Sequence, residues 1–111
     1  MFAYDGCIYN PSGQVIPPAL IAHEEVHLER QKKESSVDRW WDLYIMNSYY
    51  RYNEELLAHV AEFKMQRGPD RNQGARLLMS TALRLIAPLY NYQPPRSLQE
   101  AMNDLRREIA K

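Results

Sequence analysis

Residues 18–33 read PALIAHEEVHLERQKK, and this stretch predicts a helix. Proline suits the first turn of a helix, where its missing N–H group costs nothing, so Pro17-Pro18 predicts the start. No helix breaker follows, and the basic residues at the end suit the negative end of the helix dipole. The residues on either side of this helix are therefore expected to form separate elements.

Residues 1–16 predict a short antiparallel β-ribbon. Asp5-Gly6 is a favoured two-residue hairpin turn, and it is flanked by the short apolar runs Phe2-Ala3-Tyr4 and Cys7-Ile8-Tyr9. A second turn signal, Asn-Pro-Ser-Gly at residues 10–13, precedes Val15-Ile16. The ribbon is expected to have two or three strands.

Further helices are expected after residue 33. Residues 37–47 read VDRWWDLYIMN and predict an aromatic-rich helix, and a third helix is expected over residues 49–66, where Gly68-Pro69 stops it. Residues 70–110 predict C-terminal helices. The expected fold is mostly α (α+β): a small N-terminal antiparallel β-ribbon followed by about five helices in a single domain over residues 1–111.

Two S/T/D-x-x-E/Q patterns predict where the C-terminal helices begin. Asp70 with Gln73 and Ser97 with Glu100 have the spacing of a capping box. Pro88 is expected to kink or end the fourth helix. The apolar positions of that helix are predicted to share one face: Ala75, Leu78, Met79, Ala82, Leu85, Ile86 and Leu89.

The composition is that of an ordinary globular protein. The chain has 111 residues, of which 45% are hydrophobic and 25% charged, and this size supports one core. Its 14 basic residues balance its 14 acidic ones, which argues against a protein that coats nucleic acid. No apolar run approaches ~20 residues, so no membrane partner is expected. Cys7 is the only cysteine, which excludes an internal disulfide and favours the cytoplasm.

The segment His23-Glu24-Glu25-Val26-His27 has the H-E-x-x-H pattern within the predicted helix. Residues four apart on a helix are offset by about 40° and by ~6 Å along the axis, so His23 and His27 can point at one metal ion. Imidazole nitrogen is a suitable ligand for Zn²⁺. Glu24 can reach a water bound to the metal without binding the metal itself, and it can take the proton of that water.

A catalytic zinc usually has three protein ligands, so a third ligand is expected from another element. The third helix offers Glu54, Glu55, His59 and Glu62. Glu55, His59 and Glu62 are spaced i, i+4, i+7 and share one face. Glu54 and Glu55 both remain candidates on spacing alone.

The pattern resembles the gluzincin branch of the zincin metallopeptidases, in which a Glu on a later helix completes H-E-x-x-H. Several of these families place it in an E-x-x-A-[D/N] motif, which Glu55 to Ala58 match and which His59 departs from. The resemblance implies a minimal zincin-like fold with metal ligands His23, His27 and Glu55 and the general base Glu24. Glu55 is preferred over Glu54 because of Ala58 and the face that Glu55 shares with His59.

A closer resemblance is to small metallopeptidase-like proteins of tailed phages. These proteins also have a β-ribbon, then H-E-x-x-H, a W-W-D-x-Y segment and F/Y-R-x-x-E-E-x-x-A. Here those features are His23 to His27, Trp40 to Tyr44 and Tyr50 to Ala58, within about residues 7–65. The resemblance implies cytoplasmic location, in a host cell if a phage encodes the chain, with virion association as an alternative.

Peptidases of this type need a hydrogen-bond donor for the developing oxyanion. Tyr44, Tyr50 and His59 are the candidates for this donor or for the orientation of a ligand. The expected function is zinc-dependent hydrolysis of a peptide bond in a peptide or protein substrate. The alternative is a non-catalytic phage or mobile-element protein with a structural or relict zinc site, which binds a phage protein or a second copy of itself.

Overall fold

The computed structural model describes residues 1–111 as a mostly helical protein with one small sheet. The strands and helices follow one another in this order: β1 (Phe2–Tyr4), β2 (Cys7–Tyr9), α1 (Pro18–Lys33), α2 (Val37–Met46), α3 (Ser48–Gln66), α4 (Arg71–Leu85), a 3-10 turn (Pro88–Tyr90) and α5 (Leu98–Ile109). The predicted fold class is therefore confirmed. No helix combines the length and the apolar character needed to cross a bilayer.

The β-ribbon has two strands. Ala3 of β1 pairs with Ile8 of β2 in antiparallel register, and the turn between them has positive φ at Asp5 (48°) and Gly6 (83°), as the Asp-Gly signal predicts. The third strand that Val15-Ile16 could have supplied does not form. Val15 is 95% exposed, so it has no sheet face or core to cover it.

Capping side chains set the starts of the later helices. Asn47 accepts a hydrogen bond from the Tyr50 N–H group and starts α3, and Ser97 and Glu100 form the expected capping box of α5. Asp70 accepts from the backbone of Asn72 and Gln73, but the reciprocal bond from the Gln73 side chain does not form. The predicted box at Asp70 is thus a simple N-cap.

The apolar core lies among α3, α4 and α5. Its eight buried members are Leu56, Val60, Phe63, Leu78, Ala82, Leu85, Ala101 and Leu105. Three residues predicted on the core face of α4 are exposed: Ala75, Met79 (47%) and Leu89 (80%). Leu89 leaves that face because α4 ends at Leu85 and the extended residue before Pro88 redirects the chain into the 3-10 turn.

The packing of α1 against α3 is polar. Ala19 is the only hydrophobic residue of α1 that is buried, and the other buried residues of α1 are His23, Glu24, His27 and Gln31. They face a helix that buries its own carboxylates and an imidazole. Burying so many polar groups is costly unless each finds a partner, so the contacts between these two helices define the candidate site.

Candidate metal centre

Two imidazoles of α1 and one carboxylate of α3 converge at the centre of this interface. The Nε2 atoms of His23 and His27 lie 3.2 Å apart. Glu55 Oε1 lies 3.2 Å from His23 Nε2, and Glu55 Oε2 lies 2.9 Å from His27 Nε2. All three residues are at most 7% exposed. The structure therefore brings together the three residues that the sequence indicated as metal ligands.

This arrangement fits a zinc ion. Two ligand atoms bound to Zn²⁺ at ~2.0–2.1 Å and at a tetrahedral angle lie about 3.3 Å apart, close to the spacing of the two Nε2 atoms. Glu55 Oε1 is buried and forms no hydrogen bond, although His23 lies beside it. A buried carboxylate oxygen without a hydrogen bond is unusual. Its free lone pairs are available for a cation.

A second carboxylate supports His23 from the opposite side of its ring. His23 Nδ1 contacts Glu62 Oε1, and Glu62 Oε2 accepts a hydrogen bond from Arg84 at 3.0 Å. Burial alone would lower the pKa of His23, but the carboxylates of Glu55 and Glu62 outweigh it and raise that pKa to about 9. Metal-binding histidines commonly donate their other ring N–H to a carboxylate, which fixes the tautomer and the ring orientation.

Glu55 is also held by a tyrosine. The Tyr44 hydroxyl donates a hydrogen bond to Glu55 Oε2 at 2.8 Å. Burial would raise the pKa of Glu55, but the imidazoles of His23 and His27 outweigh it and hold that pKa well below its usual range. Burial and the Glu55 charge raise the pKa of Tyr44, so its hydroxyl stays protonated and able to donate.

Glu24 lies at the edge of the convergent ligands. It is 9% exposed and lines a cleft of about 210 Å³ that also contains the three converging residues. Burial raises the pKa of its carboxyl group. A carboxylate that holds a proton more readily than usual is suited to accept a proton and to return it.

Aromatic and apolar side chains form the walls of this cleft. Trp40 is 1% exposed; its ring stacks on Tyr44 with 5.0 Å between centroids and meets the His27 ring edge-on at 5.3 Å. No Lys or Arg residue lines the cleft. The remaining lining residues are Met1, Phe2, Ala3, Trp41, Leu89 and Tyr90.

His59 lies beside His23. Its ring meets the His23 ring edge-on with 4.8 Å between centroids, and it offers a nitrogen within 4.8 Å of ligand atoms of His23 and Glu55. However, its Nδ1 atom lies only 2.7 Å from the backbone carbonyl of Glu55, which accepts a hydrogen bond when Nδ1 carries the proton. Burial lowers the pKa of His59. A neutral His59 thus stabilises the helix turn that contains Glu55 through this hydrogen bond.

Two other candidates lie apart from the converging ligands. The Tyr50 hydroxyl donates to Glu34 Oε1 at 3.3 Å, and Tyr50 does not line the cleft. Glu54 is fully buried, and the Arg30 Nε–H group is shared between its two carboxylate oxygens at 3.0 and 3.2 Å. The structure therefore directs Glu55, and not Glu54, at the two histidines.

Tyr90 is a cleft residue that the sequence reasoning missed. Burial and the Glu55 charge raise the pKa of its hydroxyl. Tyr90 lies two residues after Pro88, which indicated a change of direction here. Nothing local indicated that the 3-10 turn returns to the cleft.

No protein-family model, curated protein or solved structure matches the chain. The comparisons therefore do not test the resemblance to the zincins.

Proposed function

We propose that this protein is a zinc-dependent metallopeptidase of minimal, gluzincin-like type, with His23, His27 and Glu55 as the metal ligands. The observation that carries the proposal is the convergence of the His23 and His27 Nε2 atoms on the buried carboxylate of Glu55, whose Oε1 atom forms no hydrogen bond. The cleft beside them supports a site open to a substrate.

The balance of buried charge supports a bound cation. Glu54 is neutralised by Arg30 and Glu62 by Arg84, but Glu55 has no arginine or lysine partner. Its contacts are a tyrosine and two imidazoles, of which His23, with its raised pKa, supplies a positive charge when no metal is bound. Because buried charges are normally paired or bound to metals, a divalent ion held by Glu55 and the two imidazoles would balance its charge.

The proposed reaction assigns a separate task to each residue in the cleft. A bound zinc ion would polarise the scissile carbonyl group and acidify the attacking water. Glu24 accepts a proton from that water and returns it to the leaving amine, which its raised pKa favours. Tyr44 orients Glu55 through its hydrogen bond to Oε2.

His59 favours a second candidate function, a structural zinc site in a protein that binds partners. A structural site is closed by four protein ligands, and His59 has a ring nitrogen within 4.8 Å of ligand atoms of His23 and Glu55. The contact of His59 Nδ1 with the Glu55 carbonyl favours the catalytic alternative, because it engages the nitrogen that lies nearest to Glu55.

The proposal includes a peptide or protein substrate and a cytoplasmic location, in a host cell if a phage encodes the chain. The exposed, unpaired thiol of Cys7 supports a reducing compartment.

The test is Glu24→Gln in zinc-loaded protein, assayed with a library of quenched fluorescent peptides. We expect the wild type to cleave members of the library, and we expect the variant to bind zinc equally well and to cleave none. A wild type that binds zinc but cleaves no peptide would favour the structural site. A variant that cleaves as fast as the wild type would contradict the role of Glu24.

A further inference from the structure

Arg51 lies one helical turn before Glu55 on α3 and directs its guanidinium at backbone carbonyls. It donates to Tyr44 O at 2.7 Å, Ile45 O at 3.0 Å, Tyr90 O at 2.6 Å and Asn91 O at 2.8 Å. A fifth hydrogen bond goes to the Ser48 hydroxyl. No carboxylate forms an ion pair with Arg51, although the sequence offered several. All five of its hydrogen bonds go to uncharged oxygen atoms.

These carbonyls belong to two segments that are far apart in sequence. Tyr44 and Ile45 lie in the last turn of α2, where carbonyl groups have no partner within the helix. Tyr90 and Asn91 end the 3-10 turn, where Asn91 has the left-handed φ of 49°. One guanidinium therefore joins the end of α2, the start of α3 and the chain after α4.

Each of these segments carries one tyrosine of the cleft. The Tyr44 hydroxyl donates to Glu55 Oε2, and Tyr90 lines the cleft that Glu55 also lines. Arg51 donates directly to the backbone carbonyl groups of Tyr44 and Tyr90. A displacement of the end of α2 would move the Tyr44 hydroxyl away from Glu55, and a displacement of the 3-10 turn would move Tyr90 in the wall of the cleft.

We propose that Arg51 is a positioning residue that fixes Tyr44 and Tyr90 around Glu55 and so orients the third metal ligand. This inference rests on the proposed metal site. The role requires arginine, because the planar guanidinium presents five donors in a rigid fork, whereas the lysine ammonium presents three on a flexible stem. Arg51→Lys keeps the charge but cannot hold both segments.

The test is a double-mutant cycle of Arg51→Lys and Tyr44→Phe, read as zinc affinity by competition with a chromophoric chelator. We expect each single variant to bind zinc about 10-fold more weakly than the wild type. This is the lower end of the ~10- to 100-fold loss of metal affinity that follows removal of a group hydrogen-bonded to a metal ligand. The double variant should lose less zinc affinity than the sum of the two single losses, because Arg51 acts in part through Tyr44.

Arg30→Lys is the matched control, because Arg30 also holds a buried group of α3, Glu54, but touches neither tyrosine. The visible spectrum of the cobalt-substituted protein gives a second readout. It should change in Arg51→Lys and remain that of the wild type in Arg30→Lys.

Wild-type zinc affinity in Arg51→Lys, or fully additive losses in the double variant, would overturn the positioning role while leaving the metal site intact. A wild type that binds no zinc would instead overturn the proposed function. If Arg51→Lys does not fold, Arg51→Gln, which keeps two N–H donors, is compared with Tyr44→Phe in the same cycle.

Discussion

Replacement of Glu62 tests whether its contact with Nδ1 of His23 strengthens zinc binding by that histidine. Glu62 is 2% exposed and contacts Nδ1 of His23, the ring nitrogen opposite the one that faces Glu55. Loss of such a supporting group typically weakens metal binding 10- to 100-fold, or about 1.4–2.8 kcal/mol. Glu62→Gln keeps a carbonyl oxygen that can accept from Nδ1–H, so we expect about a 10-fold loss. Glu62→Leu keeps no acceptor, and we expect a loss of about 100-fold.

Glu54→Gln is the control for this prediction. Glu54 lies on the same helix, is equally buried and also pairs with an arginine, but it does not contact either histidine. Both substitutions break one arginine pair, so similar losses of folding stability are expected. Zinc affinity, measured by chelator competition, should fall only in the Glu62 variants. Equal zinc affinity in Glu62→Leu and Glu54→Gln would refute the role of Glu62.

Two further predictions concern stability and are measured by urea denaturation without metal. The Trp40 side chain is 1% exposed and packs on His27 and Tyr44. Trp40→Ala should therefore lower the free energy of unfolding by ~3–5 kcal/mol. A loss below about 1 kcal/mol would contradict this packing. Burial would raise the pKa of Asp104, but its hydrogen bonds from Tyr52 (2.6 Å) and Arg96 (2.8 Å) outweigh burial and lower that pKa. A carboxyl with a lowered pKa in the folded state stabilises the fold above its unfolded pKa of ~3.9, and this contribution is lost as the pH falls through the folded value. Asp104→Asn should therefore lower the free energy of unfolding by about 1–3 kcal/mol at neutral pH, and this difference from the wild type should shrink below pH ~4. A difference in the free energy of unfolding that stays constant with pH would contradict the pairing of Asp104 with Tyr52 and Arg96.

Local signals were sufficient for most element boundaries. Proline at the start of α1, Asn47 before α3 and the Ser97 capping box each act within one turn, so the sequence contains them directly. The two histidines were equally predictable, because their i, i+4 spacing alone puts them on one face of a helix.

Contacts between distant segments were not predictable in the same way. Glu54 and Glu55 are adjacent on α3, and only the packing of α1 determines that Glu54 meets Arg30 while Glu55 meets the histidines. Tyr50 had the same aromatic character as Tyr44, but its hydroxyl meets Glu34 instead. Tyr90 reaches the cleft through the 3-10 turn, whose path depends on hydrogen bonds from Arg51, 39 residues earlier in the chain.

The polar character of the buried face of α1 became clear only in the fold, which places that face against α3. A helix packed mainly through His23, Glu24, His27 and Gln31 gains little from apolar burial. Without a bound metal, the only full positive partner of Glu55 is a protonated His23, whose pKa is raised to about 9, and a metal ion would take the place of that proton. Metal binding and folding are therefore expected to be coupled in this protein.

The most direct measurement is the zinc content of untagged protein by elemental analysis, for the wild type, Glu55→Ala and the control Glu54→Ala. We predict one zinc ion per chain in the wild type and in Glu54→Ala, and weakened or lost zinc in Glu55→Ala. A wild type that contains no zinc, even after reconstitution with the metal, would contradict the proposed metal centre.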